Sequence, residues 1–221
     1  MNPARLWRNR RDYALVAKNH LLERFSRVWR KVKAPSIPKN PGGAIFINLG
    51  CGKISGPEFI NVDALPLHNI HHIHDIRDLS FFPDNYADMI YASHVIEHIE
   101  RHELKTVLQE WLRVLKPGGV LRFGVPNFDA LIDVYLKNHR SIPSIENQLL
   151  GQESPYDDHH SIWNEAYADK FFRSVGFESV RPWDPATADH HPFKDTTVRS
   201  LATNGEKICI SLNLEAFKPL T

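Results

Sequence analysis

From residue 44 onward the chain alternates between two hydrophobic rhythms. Short, almost wholly apolar runs occur at Ile45-Phe46-Ile47 with Leu49, at Phe59-Ile60 with Val62, across Ala87 to Ala92, and from Val120 to Val125. Runs of this length without polar alternation suit strands covered on both faces, as in a parallel sheet. Between and after them lie stripes at helical spacing. Leu104, Val107, Leu108, Trp111, Leu112 and Leu115 predict a helix from about 101 to 115, stopped by Lys116-Pro117-Gly118-Gly119. Leu131, Ile132, Val134, Tyr135 and Leu136 predict another over 127–138. Trp163, Ala166, Tyr167, Phe171, Phe172 and Val175 predict a third over 163–175, stopped by Gly176. Ile70 and Ile73 mark a further strand in 69–75. Phe177 to Trp183 is another, and Lys207 to Phe217 the last, with Ile208, Ile210, Leu212 and Leu214 alternating. Strands alternating with helices predict an α/β, Rossmann-like doubly wound, mostly parallel sheet. Residues 139–162 and 184–205 read as long polar loops, a length that is usually functional or disordered. Ser93 is placed to cap a helix beginning at His94.

The first 43 residues differ. Trp7, Ala14, Leu21, Phe25, Val28 and Val32 recur at helical spacing and predict one amphipathic helix over 4–32. Its opposite face carries Arg5, Arg8, Arg10, Arg11, Lys18, Arg24, Arg27, Arg30, Lys31 and Lys33, against only Asp12 and Glu23. Such a helix packs on its own domain or a partner, or lies on an anionic membrane surface; no motif supports nucleic-acid binding. Three prolines and two glycines in 34–43 end it. The expected organisation is a basic amphipathic helical arm (1–33), a Pro/Gly linker (34–43) and a catalytic domain (44–221).

Composition changes this picture little. The 221 residues are 42% hydrophobic and 24% charged with a net charge of +1, values of a soluble globular chain. Removing the basic arm leaves the remainder mildly acidic. The two cysteines, Cys51 and Cys209, do not suggest a disulfide framework. No apolar segment follows the N-terminal charges, so a cytoplasmic location is expected, with membrane association through the arm as the variant.

The candidate chemistry begins where the first strand ends. Gly50 and Gly52 allow a sharp turn and a close backbone approach to a ligand, and the next strand ends on Asp63. Ligands of open α/β sheets bind beyond the carboxyl ends of strands. A glycine turn after one strand and a carboxylate after the next would hold a nucleoside, with the ribose hydroxyls on the carboxylate.

These residues have a resemblance. Asn48-Leu49-Gly50-Cys51-Gly52, Phe59-Ile60-Asn61-Val62-Asp63 and the segment Asp75 to Asp88 resemble motifs of class I S-adenosylmethionine-dependent methyltransferases of the small "type 11" kind. Most specific are Ser93-His94-Val95-Ile96-Glu97-His98 and Arg113-Val114-Leu115-Lys116-Pro117-Gly118-Gly119. The resemblance implies a seven-stranded sheet with an antiparallel last strand and S-adenosyl-L-methionine as cofactor. Gly50, Cys51 and Gly52 would meet its methionine part and ribose, and Asp63 the ribose hydroxyls. Asp75 and the Ile76 backbone would face the adenine amino group, with Ser93 and His94 beside the sulfonium. Asn48 stands where the family carries an acidic residue at the cofactor's amino group, and residues 53–57 are too short for the family's first helix. Both departures predict weaker binding than is usual.

Methyl transfer to a hydroxyl needs a base, and histidine suits neutral pH. His160, which resembles the family's histidine after Gly151-Gln152, is the first candidate, then His94 and then Tyr156. Glu97 and His98 read as braces. No metal is assigned: the histidines at 68, 71, 72 and 74 fall on alternating strand faces, and nothing sets the separation of 157–160 from 189–191. The acceptor expected is a small molecule or a glycan. The alternative is a non-catalytic module of this fold tethered by the arm; a dehydrogenase is disfavoured because the third glycine is missing.

Overall fold

The computed structural model describes residues 35–152, 157–191 and 194–221. The helix expected over 4–32 and Tyr156 lie outside the described residues. Seven strands form one sheet: β1 (Phe46–Leu49), β2 (Phe59–Asp63), β3 (His72–Ile73), β4 (Ala87–Ser93), β5 (Leu115–Pro126), β6 (Ser179–Pro182) and a last strand, Ser211–Phe217. The spatial order is β3-β2-β1-β4-β5, then the last strand, then β6. The β1–β2, β1–β4, β2–β3 and β4–β5 pairings are parallel. The last strand runs antiparallel to both β5 and β6, as the resemblance implied. A separate hairpin pairs β7 (Ser200–Thr203) with β8 (Glu206–Cys209), so the last strand is β9.

The predicted helices form where the apolar stripes lie. Helix α1 (Leu104–Val114) buries Leu104, Val107, Leu108, Trp111 and Val114. Helix α2 (Phe128–Lys137) starts at Asn127, whose side chain accepts from the Ala130 N–H at 3.3 Å. A short helix α3 (Glu146–Leu150) follows, then α4 (Glu165–Val175). Asn164 caps α4 by accepting from the Tyr167 N–H at 2.9 Å, and Gly176 ends it at φ +125°. Helix α4 buries Ala168, Phe172 and Val175; the Phe172 ring stacks on Phe123 of β5 with centroids 4.5 Å apart. Burying such a side chain contributes about 1.5–3 kcal/mol, which dwarfs any propensity term for a helix this short.

Five expectations change. The strand expected across 69–75 is only His72–Ile73. The histidines around it are occupied structurally: His71 Nδ1 accepts from the Asn61 N–H at 2.9 Å, while His72 and His74 pack on Phe81. No helix starts at His94. That residue has φ +53°, only a 3-10 turn (Ile96–His98) follows, and Ser93 instead meets the Thr196 hydroxyl at 2.9 Å. The 139–162 loop contains a 3-10 turn (Ile142–Ser144) and α3, and the 184–205 loop contains another 3-10 turn (Thr196–Val198) and β7. The strand expected from Lys207 to Phe217 is two strands, since its first half pairs with β7 and packs on α2, not on the main sheet.

Candidate active site

The carboxyl ends of β1, β2 and β4 converge on one cleft. The Gly50 N–H donates to the Val62 carbonyl at 2.9 Å, carrying β1's ladder one residue beyond the strand. Gly50 has φ +60° and Gly52 φ +53°, left-handed conformations that glycine adopts without cost. At Gly50 a Cβ would also lie 2.7 Å from Val95 Cγ2. The turn is then tied to the neighbouring strand. Asp63 Oδ2 accepts from the Gly52 N–H at 2.7 Å, and Oδ1 accepts from the Leu65 N–H at 2.7 Å. Asn69 Nδ2 donates to the Gly52 carbonyl at 3.0 Å from the other side.

Two adjoining hollows share Gly50, Gly52, His94 and His98. The first, of about 540 Å³, is lined by Asp63, Asp75, Ile76, Val95 and His160. The second, of about 410 Å³, is lined by Asn48, Tyr91, Ser93, Glu97, His159 and Asp195, among others. Gly50, Cys51, Gly52, Asp63, Asp75, Ile76, Ser93, His94, Asn48 and His160 therefore all border one continuous groove. Asp75 is less available than expected. Its carboxylate accepts from the Arg77 N–H, Nε and Nη2, with Nη2 at 2.6 Å. Burial opposes its ionisation, but the Arg77 hydrogen bonds and charge hold it below the ordinary aspartate range. Cys51 is buried against the turn; burial first, then the Asp63 charge, push its thiol up to about 12.

His94 stands at the junction of the two hollows. Its Nε2 lies 3.0 Å from Ser211 Oγ on β9, and its Nδ1 lies 3.1 Å from Glu97 Oε1. The latter contact falls outside hydrogen-bonding geometry, and neither carboxylate oxygen of the fully buried Glu97 meets a hydrogen-bond donor among the described residues. Burial works against a charge on Glu97, yet the approach of His94 and the charges of His94 and His98 hold its ionisation below the ordinary glutamate range. His160 is held by its backbone, whose N–H donates to the Glu97 carbonyl at 2.7 Å; its ring approaches Glu100 at 3.6 Å.

Two long segments close the groove. In the first, His159 and His160 lie over the Ile96–His98 turn, and the His98 and His159 rings meet edge to face with centroids 4.9 Å apart. In the second, the Tyr91 hydroxyl bonds Asp195, and Ser93 bonds Thr196. Burial and the Asp195 charge push the Tyr91 phenol above its ordinary range. Sequence reasoning passed over Tyr91, Asp195, Thr196 and Ser211, which lie far apart along the chain with no motif joining them. The two runs at 157–160 and 189–191 have different surroundings: His190 Nδ1 contacts Glu58 at 3.1 Å, and His191 packs on Tyr91 and Trp183. Among the described residues, the side chains that gather are Glu97, His98 and His159.

Comparison with known proteins bears on the fold. Residues 58–123 match the model of a family described as a methyltransferase domain. Among solved structures, a SAM-dependent methyltransferase from Archaeoglobus fulgidus has a TM-score of 0.50 at 16% identity, covering 90% of this chain and 94% of that one. A SAM-dependent methyltransferase from Methanosarcina mazei has a TM-score of 0.50 at 17% identity, covering 85% of this chain and 96% of that one. No functionally curated protein matches the sequence. The matched segment resembles a methyltransferase domain and the fold is the one these structures share; S-adenosyl-L-methionine is the cofactor that this resemblance implies. The groove fits that group. Asp63 spends one lone pair of each oxygen on backbone amides and has capacity left for two hydroxyls, and Gly52 leaves open space where a Cβ would stand.

Proposed function

We propose that the protein transfers the methyl group of S-adenosylmethionine to an oxygen of a small molecule or glycan. The observation that carries this is the groove itself: a nucleoside-sized hollow beside Asp63 opens, past Gly50 and His94, into a second hollow bordered by Tyr91, Ser93 and Asp195. Bound there, the cofactor supplies an electrophilic methyl on a sulfonium. Asp63 would take the ribose hydroxyls, and Val95 and Ile76 would offer apolar surface beside the adenine. Asp75 reaches the adenine amino group only by sharing its carboxylate with Arg77. Asn48 replaces a carboxylate with a neutral amide at the cofactor's ammonium, which weakens that contact.

An acceptor in the second hollow meets Ser93, His94, Tyr91 and Asp195. With the cofactor bound, the acceptor's oxygen lone pair would take the methyl carbon as the S–C electron pair returned to sulfur. The hydroxyl proton passes to a base, and His94 suits this role because it borders both hollows and is oriented by Ser211. His160, the other described candidate, borders the nucleoside hollow. The side chains of Tyr91, Ser93 and Asp195 that line the second hollow offer hydrogen-bond partners to a hydroxylated acceptor. The basic segment 1–33 offers a means of bringing the protein to an anionic surface.

Calorimetric titration with S-adenosylmethionine and its demethylated product tests the cofactor. Transfer of a labelled methyl group to pooled hydroxylated small molecules and glycans, compared in wild type and His94→Ala, tests the reaction. Binding without transfer to any pool would leave a non-catalytic module as the better reading.

A further inference from the structure

We propose that Glu97, His98 and His159 form a binding site for a divalent first-row transition metal, zinc by preference, opening into the second hollow. One ligand atom from each of the three lies within 4.8 Å of the other two. Glu97 is 0% exposed, and neither of its carboxylate oxygens has a hydrogen-bond partner among the described residues. A buried, unsatisfied carboxylate is strongly disfavoured unless something compensates it. The neighbouring His94 nitrogen approaches one oxygen without hydrogen-bonding geometry and leaves the other unmet.

The two histidines are prepared as ligands. His98 Nδ1 lies 3.2 Å from the Asp158 carbonyl, and His159 Nδ1 lies 3.0 Å from the Gln148 carbonyl. A carbonyl only accepts, so each Nδ1 carries its proton, and each Nε2 keeps a lone pair for a metal. A backbone partner fixing the far nitrogen is the usual support of a metal-bound histidine. Asp157, whose Oδ1 lies 3.7 Å from His98 Nε2, stands near as a further oxygen donor. Zinc bonds of about 2.1 Å put tetrahedral ligands roughly 3.4 Å apart, so the three side chains close by about an ångström around the ion. Two imidazoles and a carboxylate suit zinc or ferrous iron over the oxygen-seeking magnesium and calcium.

The three residues line the same hollow as Ser93 and His94. An open coordination position there would hold an acceptor's oxygen and favour its deprotonated form. That role rests on the methyl-transfer reading; the site itself does not.

The test uses the full chain, stripped with a chelator and titrated with zinc chloride by calorimetry, with cobalt(II) as a visible probe. Expected are about one ion per chain, cobalt ligand-field bands, and affinity weaker by 10-fold or more in both His159→Gln and Glu97→Gln. S-adenosylmethionine titrated into the stripped protein reads the cofactor site separately. No saturable zinc binding up to about millimolar metal would overturn the site, as would wild-type affinity in the folded His159→Gln protein. Circular dichroism confirms folding of both variants, and His159, which is partly exposed, keeps the test open if Glu97→Gln does not fold. Failure of cofactor binding with the metal retained would sink the methyl-transfer reading and leave the site standing.

Discussion

The carboxylate of Asp63 accepts the backbone N–H of Gly52 at 2.7 Å, joining the end of β2 to the glycine turn after β1. One side chain therefore shapes the turn and, in the proposed binding mode, would also face the ribose. Asp63→Ala removes both functions. Affinity for S-adenosylmethionine is expected to fall at least 100-fold, the scale of two lost charge-assisted hydrogen bonds. Asp63→Asn keeps the shape and should lose less. Calorimetry beside circular dichroism separates binding from fold.

Gly50 is more constrained than Gly52. Gly50→Ala meets a left-handed φ, costing about 1–2 kcal/mol, and a Val95 methyl at 2.7 Å. Adding Val95→Ala should relieve the clash and leave the backbone strain. Chemical denaturation should thus show partial rescue. Full rescue would mean the φ requirement is unimportant.

Arg122 of β5 and Glu215 of β9 sit directly opposite in the ladder, with Arg122 Nη2 2.7 Å from Glu215 Oε1. Both are buried, and Arg122 also lies over the Trp183 ring at 5.0 Å. Glu215→Leu alone leaves a buried cation facing apolar surface and should destabilise the protein by about 3–5 kcal/mol. Adding Arg122→Met should recover most of that. If Glu215→Leu unfolds at the wild-type denaturant midpoint, the pair does not matter to stability.

Cys51 should resist alkylation at pH 8, where the exposed Cys209 reacts, because its thiol is pushed up to about 12. The sign for stability follows. The folded state holds this proton more tightly than the unfolded chain, so its contribution is intact below about pH 9 and is lost as pH rises toward 12. Mass spectrometry after brief iodoacetamide treatment gives the labelling pattern. Equal labelling of the two cysteines in folded protein would contradict the burial.

Much of this protein was legible one residue at a time. Buried parallel strands are apolar throughout, so β1, β2, β4 and β5 announced themselves. The glycine turn and Asp63 were legible for a similar reason: each requirement, a positive φ or a carboxylate at a strand end, falls on one residue type at one position. Short elements were misread. The alternation from Ile208 to Leu214 is one unbroken pattern, yet it serves two sheets, because burial against α2 and burial in the main sheet leave the same trace in the chain.

The sequence by itself determined the strand–helix alternation and the order of motifs, since these depend on local periodicity and fixed spacings, and the cofactor expected follows from the resemblance those motifs carry. Only the tertiary structure decided which distant residues meet: Tyr91 with Asp195, His94 with Ser211, and Glu97 and His98 with His159. Those meetings depend on how two long segments fold back over the sheet. That path is set by scattered backbone hydrogen bonds, such as His160 N–H to Glu97 O and His159 N–H to Leu150 O. Every residue type except proline can donate such bonds, so they leave little signature in the order of side chains.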